Sequence, residues 1–288
     1  MQIGEERFSL VLAHLQRHGL SLAQPRSERP NPAAADGRSA YARAMARLGH
    51  PIHDILLDRL DLTGSEVVCD LGCGEGATLV AAFDRYPDLT GLGIDRDPQF
   101  VATARARLAR FGADVEVGDV ASTLPWPEAS IDRLLCHNVL ECVSAPVDLI
   151  ASAARHLRPG GRAVWSHVDF DGLVIAGEAD RSRRILHAYA DATQAWMDHS
   201  DGRVGRKIPG FVRQAGMDLV DASVHTLVET TLTGDALARV NEIGTVLESG
   251  DHGVTADDVD AWRRELDELD IAGAFFFAQP TVVVVATV

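Results

Sequence analysis

An open α/β sheet, mostly parallel and with helices between its strands, is the architecture this sequence predicts. Three observations carry it. From residue 66 onward five short apolar runs, Val67–Leu71, Thr90–Asp95, Asp114–Val117, Ile131–His137 and 162–168, alternate with helical patterns. The runs are apolar on both faces, which suits strands covered by helices above and below and joined by right-handed crossovers. A glycine-rich turn, LGCGEG, follows the first run, at the place where open sheets bind their ligands.

Each element follows from local chemistry. Residues 5–19 (EERFSLVLAHLQRHG) have apolar positions at helical spacing and stop at Gly19. SLAQPRSERPNPAAADG then reads as a linker. A second helical pattern, 39–60, holds Tyr41, Met45, Leu48, Ile52, Ile55, Leu56 and Leu60. Between the strands, helices are expected at 76–86, 97–111 and 146–158, the last closing on R-P-G-G. Asp97 before Pro98 is an N-cap with proline at the first helical position. Beyond the five runs come helical stretches at 180–199 and 205–215, a strand candidate at 217–229, two more helices at 233–248 and 255–270, and the strand-like terminus TVVVVATV.

Composition narrows the function. The formal net charge is −15 over 288 residues, so phosphate backbones are repelled and nucleic acid is not an expected partner. The basic stretches at 105–110 and 181–184 read as solvated helix faces. No apolar run approaches the roughly 20 residues needed to span a bilayer. The acidic N-terminus MQIGEERFSLVLAHL does not look like a signal peptide, and a cytoplasmic location is expected. Cys69, Cys73, Cys136 and Cys142 suit reduced thiols, with no metal site.

The turn Gly72-x-Gly74-x-Gly76 is one residue tighter than the dinucleotide fingerprint, and no lysine follows it as a phosphate loop requires. A ligand without pyrophosphate and with a cationic, amino-acid-like end fits better. Asp70 ends the first strand, where a carboxylate can meet an ammonium. Asp95 ends the second, in GLGIDRDP, where acidic residues accept hydrogen bonds from ribose hydroxyls. Asp119, in EVGDVAST after the third strand, is placed to meet an adenine amino group.

These residues resemble the class I S-adenosylmethionine-dependent methyltransferases, particularly the branch of ubiquinone/menaquinone-type and other small-molecule enzymes. VVCDLGCGEG, GLGIDRDP, VGDVASTLPWPEASID and HLRPGGRAVW follow the family's motifs in order, over roughly residues 40–170. The resemblance implies a Rossmann-like, seven-stranded, mostly parallel sheet of order 3-2-1-4-5-7-6, with TVVVVATV as the antiparallel seventh strand. It implies an N-terminal helical lid segment (1–60), a catalytic domain (61–288) and a helical cap inserted at 233–270. S-adenosyl-L-methionine is the implied cofactor, and a small-molecule methyl acceptor the implied partner; a homodimer is compatible with it.

By the same resemblance Asp70, Gly72, Cys73, Gly74 and Gly76 shape the methionine pocket, covered by Tyr41. Asp95 holds the ribose with Arg96 beside the adenine, and Asp119 and Val120 meet the adenine edge. His137 and Asn138, ending the fourth strand in LLCHNVLECV, face both cofactor and substrate. Methyl transfer to an acidic group can also need a general base, for which His137, His167 and Asp169 are the candidates, with Asp171 beside them. His167-x-Asp169-x-Asp171 could alternatively gather a divalent cation, although strand alternation explains the pattern as well. Tyr189, Thr193, Trp196 and Met197 share a helix face that reads either as core or as a substrate wall. Arg203 and Arg206 could bind a substrate carboxylate or stabilise their own loop.

Overall fold

The five apolar runs form five neighbouring strands of one sheet in a computed structural model that describes residues 47–122, 124–193, 199–248 and 252–288. These residues belong to one compact unit, Ser39–Val288; the other unit, Met1–Arg38, lies outside them. The strands are β1 (Val67–Leu71), β2 (Thr90–Asp95), β3 (Asp114–Val117), β4 (Ile131–His137), β5 (Leu157–Val168), β6 (Val174–Ile175), β7 (Asp218–Glu229) and β8 (Phe277–Thr287). β1 lies between β2 and β4, with Cys69 opposite Leu92 on one side and Leu134 on the other, both parallel. The order runs β3-β2-β1-β4-β5-β8, with β8 antiparallel between β5 and β7. With the two-residue β6 counted apart, this is the expected order 3-2-1-4-5-7-6. β6 pairs with β8 at Val174↔Ala278, continuing the edge that β5 leaves.

Helix α1 (Pro51–Leu60) starts where the His50 imidazole accepts the Ile52 N–H at 3.1 Å and Pro51 takes the first helical position. Its Ile52, Leu56, Leu57 and Leu60 are buried beneath the sheet with α2 (Ala77–Arg85) and α3 (Pro98–Leu108). Residues 51–60 are thus an integral layer of the sheet domain, although the sequence grouped them with a lid segment. Asp97 caps α3 as expected, accepting the N–H of Gln99 at 2.8 Å. On the opposite face α4 (Pro146–His156) and α6 (Ile208–Gln214) bring Ile150 and Val212 into one core with Trp165 of β5. Each fully buried Leu, Ile or Val contributes about 1.5–3 kcal/mol over its exposed state.

A second apolar core joins α5 (Ala179–Asp191), α7 (Gly234–Leu247) and α8 (Ala256–Ile271) around Ile185, Ile243, Trp262 and Phe277. It occupies the expected cap region, and α8 opens with a reciprocal Thr255–Asp258 capping box. Two boundaries differ from the expected ones. R-P-G-G lies within β5 and not at a helix end: α4 stops at His156, because Pro159 and Gly160 (φ 77°) cannot continue it. The register accordingly slips between Ile131 and Arg133. Helix α5 ends at Asp191, short of the expected 199, and residues 194–198 lie outside the described residues. Among the described residues no helix is long and apolar enough to cross a membrane.

Candidate functional site

The carboxyl ends of β1, β2 and β4 converge on the glycine turn. Gly72 and Cys73 both donate their N–H to the Ile94 carbonyl, at 2.8 and 3.0 Å, which folds the turn over the end of β2. Gly72 has φ 72°, and a Cβ there would lie 2.3 Å from Val139 Cγ2, so only glycine fits. Gly74 (φ 51°) is the reverse case: a Cβ there would meet open space. Its backbone therefore borders room for a ligand, and its N–H donates to Asp95 Oδ2 at 2.9 Å. Gly76 (φ 78°) opens α2 and packs against Ala104 and Leu108.

Asp70 is 3% exposed, and among the described residues no donor hydrogen-bonds its carboxylate. Burial, with the Asp95 charge adding to it, pushes its pKa up to about 7. An unpaired buried carboxylate is costly unless a cation meets it. Asp95 is half-buried and also raised by burial; its two oxygens accept the N–H groups of Gly74 and Asp97, at 2.9 Å each. Each oxygen keeps a lone pair for a further donor. An ammonium at Asp70, a diol at Asp95 and backbone space at Gly74 fit S-adenosylmethionine, whose chemistry needs those partners.

The other expected cofactor residues lie around this centre. Asp119 is exposed and turned back on its own loop, accepting Ala121 N–H at 2.9 Å, while Gly118 N–H ties that loop to the Asp95 carbonyl. Val120 packs on the core beside it, and Arg96 is exposed. Cys73 is buried and its thiol is pushed up by burial and by Asp70 and Asp95, so it stays protonated. Trp126 donates its indole N–H to Asp114 at 2.9 Å and steadies the edge strand β3. Tyr41, Trp196 and Met197 lie outside the described residues.

The histidines differ in what their rings can still do. Asn138 (φ 55°) accepts the Val168 N–H at 3.0 Å through Oδ1, which fixes its amide; its Nδ2 therefore donates to His137 Nε2 at 3.1 Å. His137 Nδ1 then carries the proton and donates to Ser166 Oγ at 2.8 Å. Both nitrogens are used. Burial, together with the neighbouring imidazoles of His167, His53 and His50, holds this ring neutral. His167, fully buried, donates Nδ1–H to the Val168 carbonyl at 2.7 Å and leaves Nε2 without a hydrogen-bond partner, 3.8 Å from Glu141 Oε2. Burial lowers its pKa to about 4, so Nε2 presents a lone pair. Glu141, buried in the turn after β4, is raised to about 8 by burial and by Glu242, and stays protonated at neutral pH.

The remaining expected site residues are engaged with each other. Arg206 grips Asp169 at both oxygens, at 2.8 and 2.6 Å, and reaches Asp171 at 3.2 Å. Arg203 bridges Asp171 and Asp191, and His187 meets Asp171 at 2.8 Å. His167, Asp169 and Asp171 therefore do not point to a common cation position. Tyr189 is buried in the second core, its hydroxyl accepting from Arg239 Nη1 at 2.7 Å. Arg239, with no exposed surface, also bonds Glu242 at 2.8 Å and Gln279 at 3.0 Å and lies over the Phe170 ring. Sequence reasoning missed Arg239, Glu141, Gln279 and His50. Arg239 had a signal: it falls on the apolar stripe of its helix, among Ala236, Val240 and Ile243. Glu141 had a weaker one, an acid within the apolar run NVLECV.

Comparison with known proteins agrees with this geometry. A family described as "Methyltransferase domain" matches residues 69–165. An uncharacterized 37.1 kDa protein in a transposon of Streptomyces fradiae is 35% identical over 238 residues, 81% of this chain and 65% of that protein. A trans-aconitate 2-methyltransferase of Methylobacterium nodulans is 40% identical over 106 residues, 37% of this chain and 40% of its own length. The chain thus spans less than two thirds of these relatives. Among solved structures, a geranyl diphosphate methyltransferase in complex with SAM superposes with a TM-score of 0.50 at 17% identity, covering 89% of this chain and 92% of that one. Residues 69–165, which carry Asp70 and Asp95 at the ends of β1 and β2, are thus similar in sequence to methyltransferase domains and lie in a methyltransferase-like fold.

Proposed function

We propose that the chain transfers the methyl group of S-adenosylmethionine to an O, N or C nucleophile of a small metabolite and releases S-adenosylhomocysteine. The carrying observation is Asp70: a buried carboxylate with no hydrogen-bond donor among the described residues at the end of β1, beside a glycine turn that leaves room at Gly74. In this reading Asp70 receives the ammonium of the cofactor, Asp95 its ribose hydroxyls, and Asp119 and Val120 border the adenine. When bound, the cofactor supplies an electrophilic methyl and a good leaving group. The protein's work is then alignment, exclusion of water and disposal of a proton.

For that proton neither ring stands open to a ligand. The His137 lone pair is occupied by Asn138, and His167, although its Nε2 is unpartnered, has no exposed surface. His137 fixes the strand end next to the cofactor, and Asp169 acts through its pair with Arg206. The relative named for trans-aconitate suggests acid acceptors, but Arg203 and Arg206 are already neutralised by Asp169, Asp171 and Asp191. The motifs favour the small-molecule branch that includes ubiquinone/menaquinone-type enzymes.

The test is incubation of the full chain with methyl-labelled S-adenosylmethionine and a small-molecule extract. Label in an extractable product with equal S-adenosylhomocysteine supports the reading. Cofactor binding with no labelled product from any extract supports a cofactor-binding protein without transfer and contradicts it.

A further inference from the structure

A cavity of about 190 Å³ lies between the start of α1 and the paired strands β7 and β8. Pro51, Ile52, Ile55 and Leu227 provide apolar wall. His137 lines it too, and that residue ends β4 beside the cofactor carboxylates, since Asp70 and Leu71 are in register with Leu135 and Cys136. The cavity therefore meets the cofactor side at one side chain.

Among the described residues no Lys, Arg, Asp or Glu lines it, and each of its three imidazoles accepts a hydrogen bond at one ring nitrogen. His50 Nδ1 accepts the Ile52 N–H, so the proton sits on Nε2, which donates to Asp235 at 2.8 Å. His137 Nε2 accepts from Asn138. His225 Nε2 is 3.3 Å from Arg59 Nη2, and a guanidinium can only donate, so that nitrogen is unprotonated. The full charges behind the wall, Asp235, Arg59 and Arg239, are each bonded to a wall side chain, His50, His225 and Gln279 respectively.

Two buried polar groups in the wall still have capacity. Gln279 is 4% exposed; its carbonyl is taken by Arg239, and its NH₂ has no acceptor among the described residues. The Thr281 hydroxyl, equally buried, has no protein partner among them either. Buried groups of this kind gain when a ligand satisfies them and cost about 1–3 kcal/mol when they are left bare.

We infer that this cavity is the acceptor site and takes an uncharged, single-ring-sized molecule whose oxygen accepts hydrogen bonds from the Gln279 amide and the Thr281 hydroxyl. A cavity of about 150 Å³ accommodates benzene, which sets the size. A charged molecule would give up its hydration here and find, in the described wall, no counter-charge that is not already bonded to the protein. The word acceptor rests on the methyl-transfer reading above; the preference for a neutral ligand does not.

The experiment titrates the full chain with benzamide, benzoate and benzamidinium, near-isosteres of charge zero, minus one and plus one, alongside S-adenosylmethionine. Benzamide should bind at millimolar concentrations, with both ions at least about tenfold weaker. Thr281→Val should weaken benzamide about fivefold without changing cofactor affinity, and Leu227→Trp, which fills the space, should abolish it. Should Thr281→Val fail to fold, Leu227→Trp carries the same test. An ion that equals or exceeds benzamide overturns the proposal. So does absence of benzamide binding, or unchanged benzamide affinity in either variant when it melts like the parent. Selective benzamide binding without cofactor binding would contradict methyl transfer and leave the neutral cavity standing. Turnover with a preference for charged acceptors would do the opposite.

Discussion

The half of the sheet that carries Asp70 and Asp95 and the half that packs against the second core treat their acids in opposite ways. At the ends of β1 and β2, no cation among the described residues hydrogen-bonds the oxygens of Asp70 or Asp95; backbone N–H groups serve Asp95, and nothing described serves Asp70. Around β5, α5 and α7, Asp169, Asp171, Asp191 and Glu242 are each bonded to an arginine. An acid left bare in a buried place marks where a ligand completes the structure. An acid with its own arginine marks where the chain completes itself. Glu141 is the exception in the second half, and protonation at neutral pH, with a pKa of about 8, removes its need for a cation.

That contrast can be broken by substitution. The largest expected effect is from Arg239→Met, which removes the buried guanidinium bonded to Glu242, Tyr189 and Gln279; about 3–5 kcal/mol should be lost by urea denaturation, with cofactor affinity unchanged. A large fall in cofactor affinity instead would mean that the two halves are not separable. Gly72→Ala should cost about 2–4 kcal/mol, because the new methyl meets Val139 Cγ2 at 2.3 Å. The double variant with Val139→Ala should recover the steric part and retain the cost of positive φ. Arg206→Met leaves the carboxylate of Asp169 unpaired and should cost about 1–3 kcal/mol, without altering which acceptors are methylated. A change in acceptor preference would return Arg206 to the substrate site. The smallest effect is Trp126→Phe: loss of the indole bond to Asp114 should cost about 0.5–1.5 kcal/mol and loosen the edge strand, seen as faster amide exchange over β3.

Legibility followed the same division. The strands β1 to β4, the N-cap at Asp97 and the glycine turn were readable because each depends on residues close in sequence: a both-faces apolar run, an Asp-Pro pair, glycines where φ is positive. The strand order came from the family resemblance and not from local pattern; the apolar run TVVVVATV only fitted the strand that the resemblance called for, now seen as β8. What stayed hidden depends on distant pairing. Arg203 and Arg206 looked available for a carboxylate until the fold brought Asp169, Asp171 and Asp191 to them. His137 and His167 looked equivalent in sequence; Asn138 and Ser166 occupy one, and only a carbonyl holds the other. The third-strand carboxylate, Asp119, is exposed and bonded within its own turn, so its position in the sequence says less than that of Asp70 or Asp95. The cavity at α1 had no sequence signature, since its wall draws on His50, His137, His225 and Gln279, far apart in the chain.

The pH response follows from the sign of the Asp70 shift. Its folded pKa, about 7, lies above the ordinary carboxylate value. Its contribution to the stability of the ligand-free protein is therefore fully present below about pH 4 and is lost as pH rises through 7. With Asp70 proposed as counter-ion of the cofactor ammonium, cofactor affinity should run the other way, because the ammonium needs the ionised form. Titration calorimetry of S-adenosylmethionine at pH 8 and pH 6, on the parent and on Asp70→Asn, tests this most directly. The parent should bind about tenfold more weakly at pH 6, the fraction ionised falling by that factor across a pKa near 7. Asp70→Asn should bind at least about a hundredfold more weakly at pH 8, lose the pH dependence, and gain ligand-free stability. Equal affinity in parent and variant, with no change between the two pH values, would contradict the assignment of Asp70 as the cofactor's counter-ion.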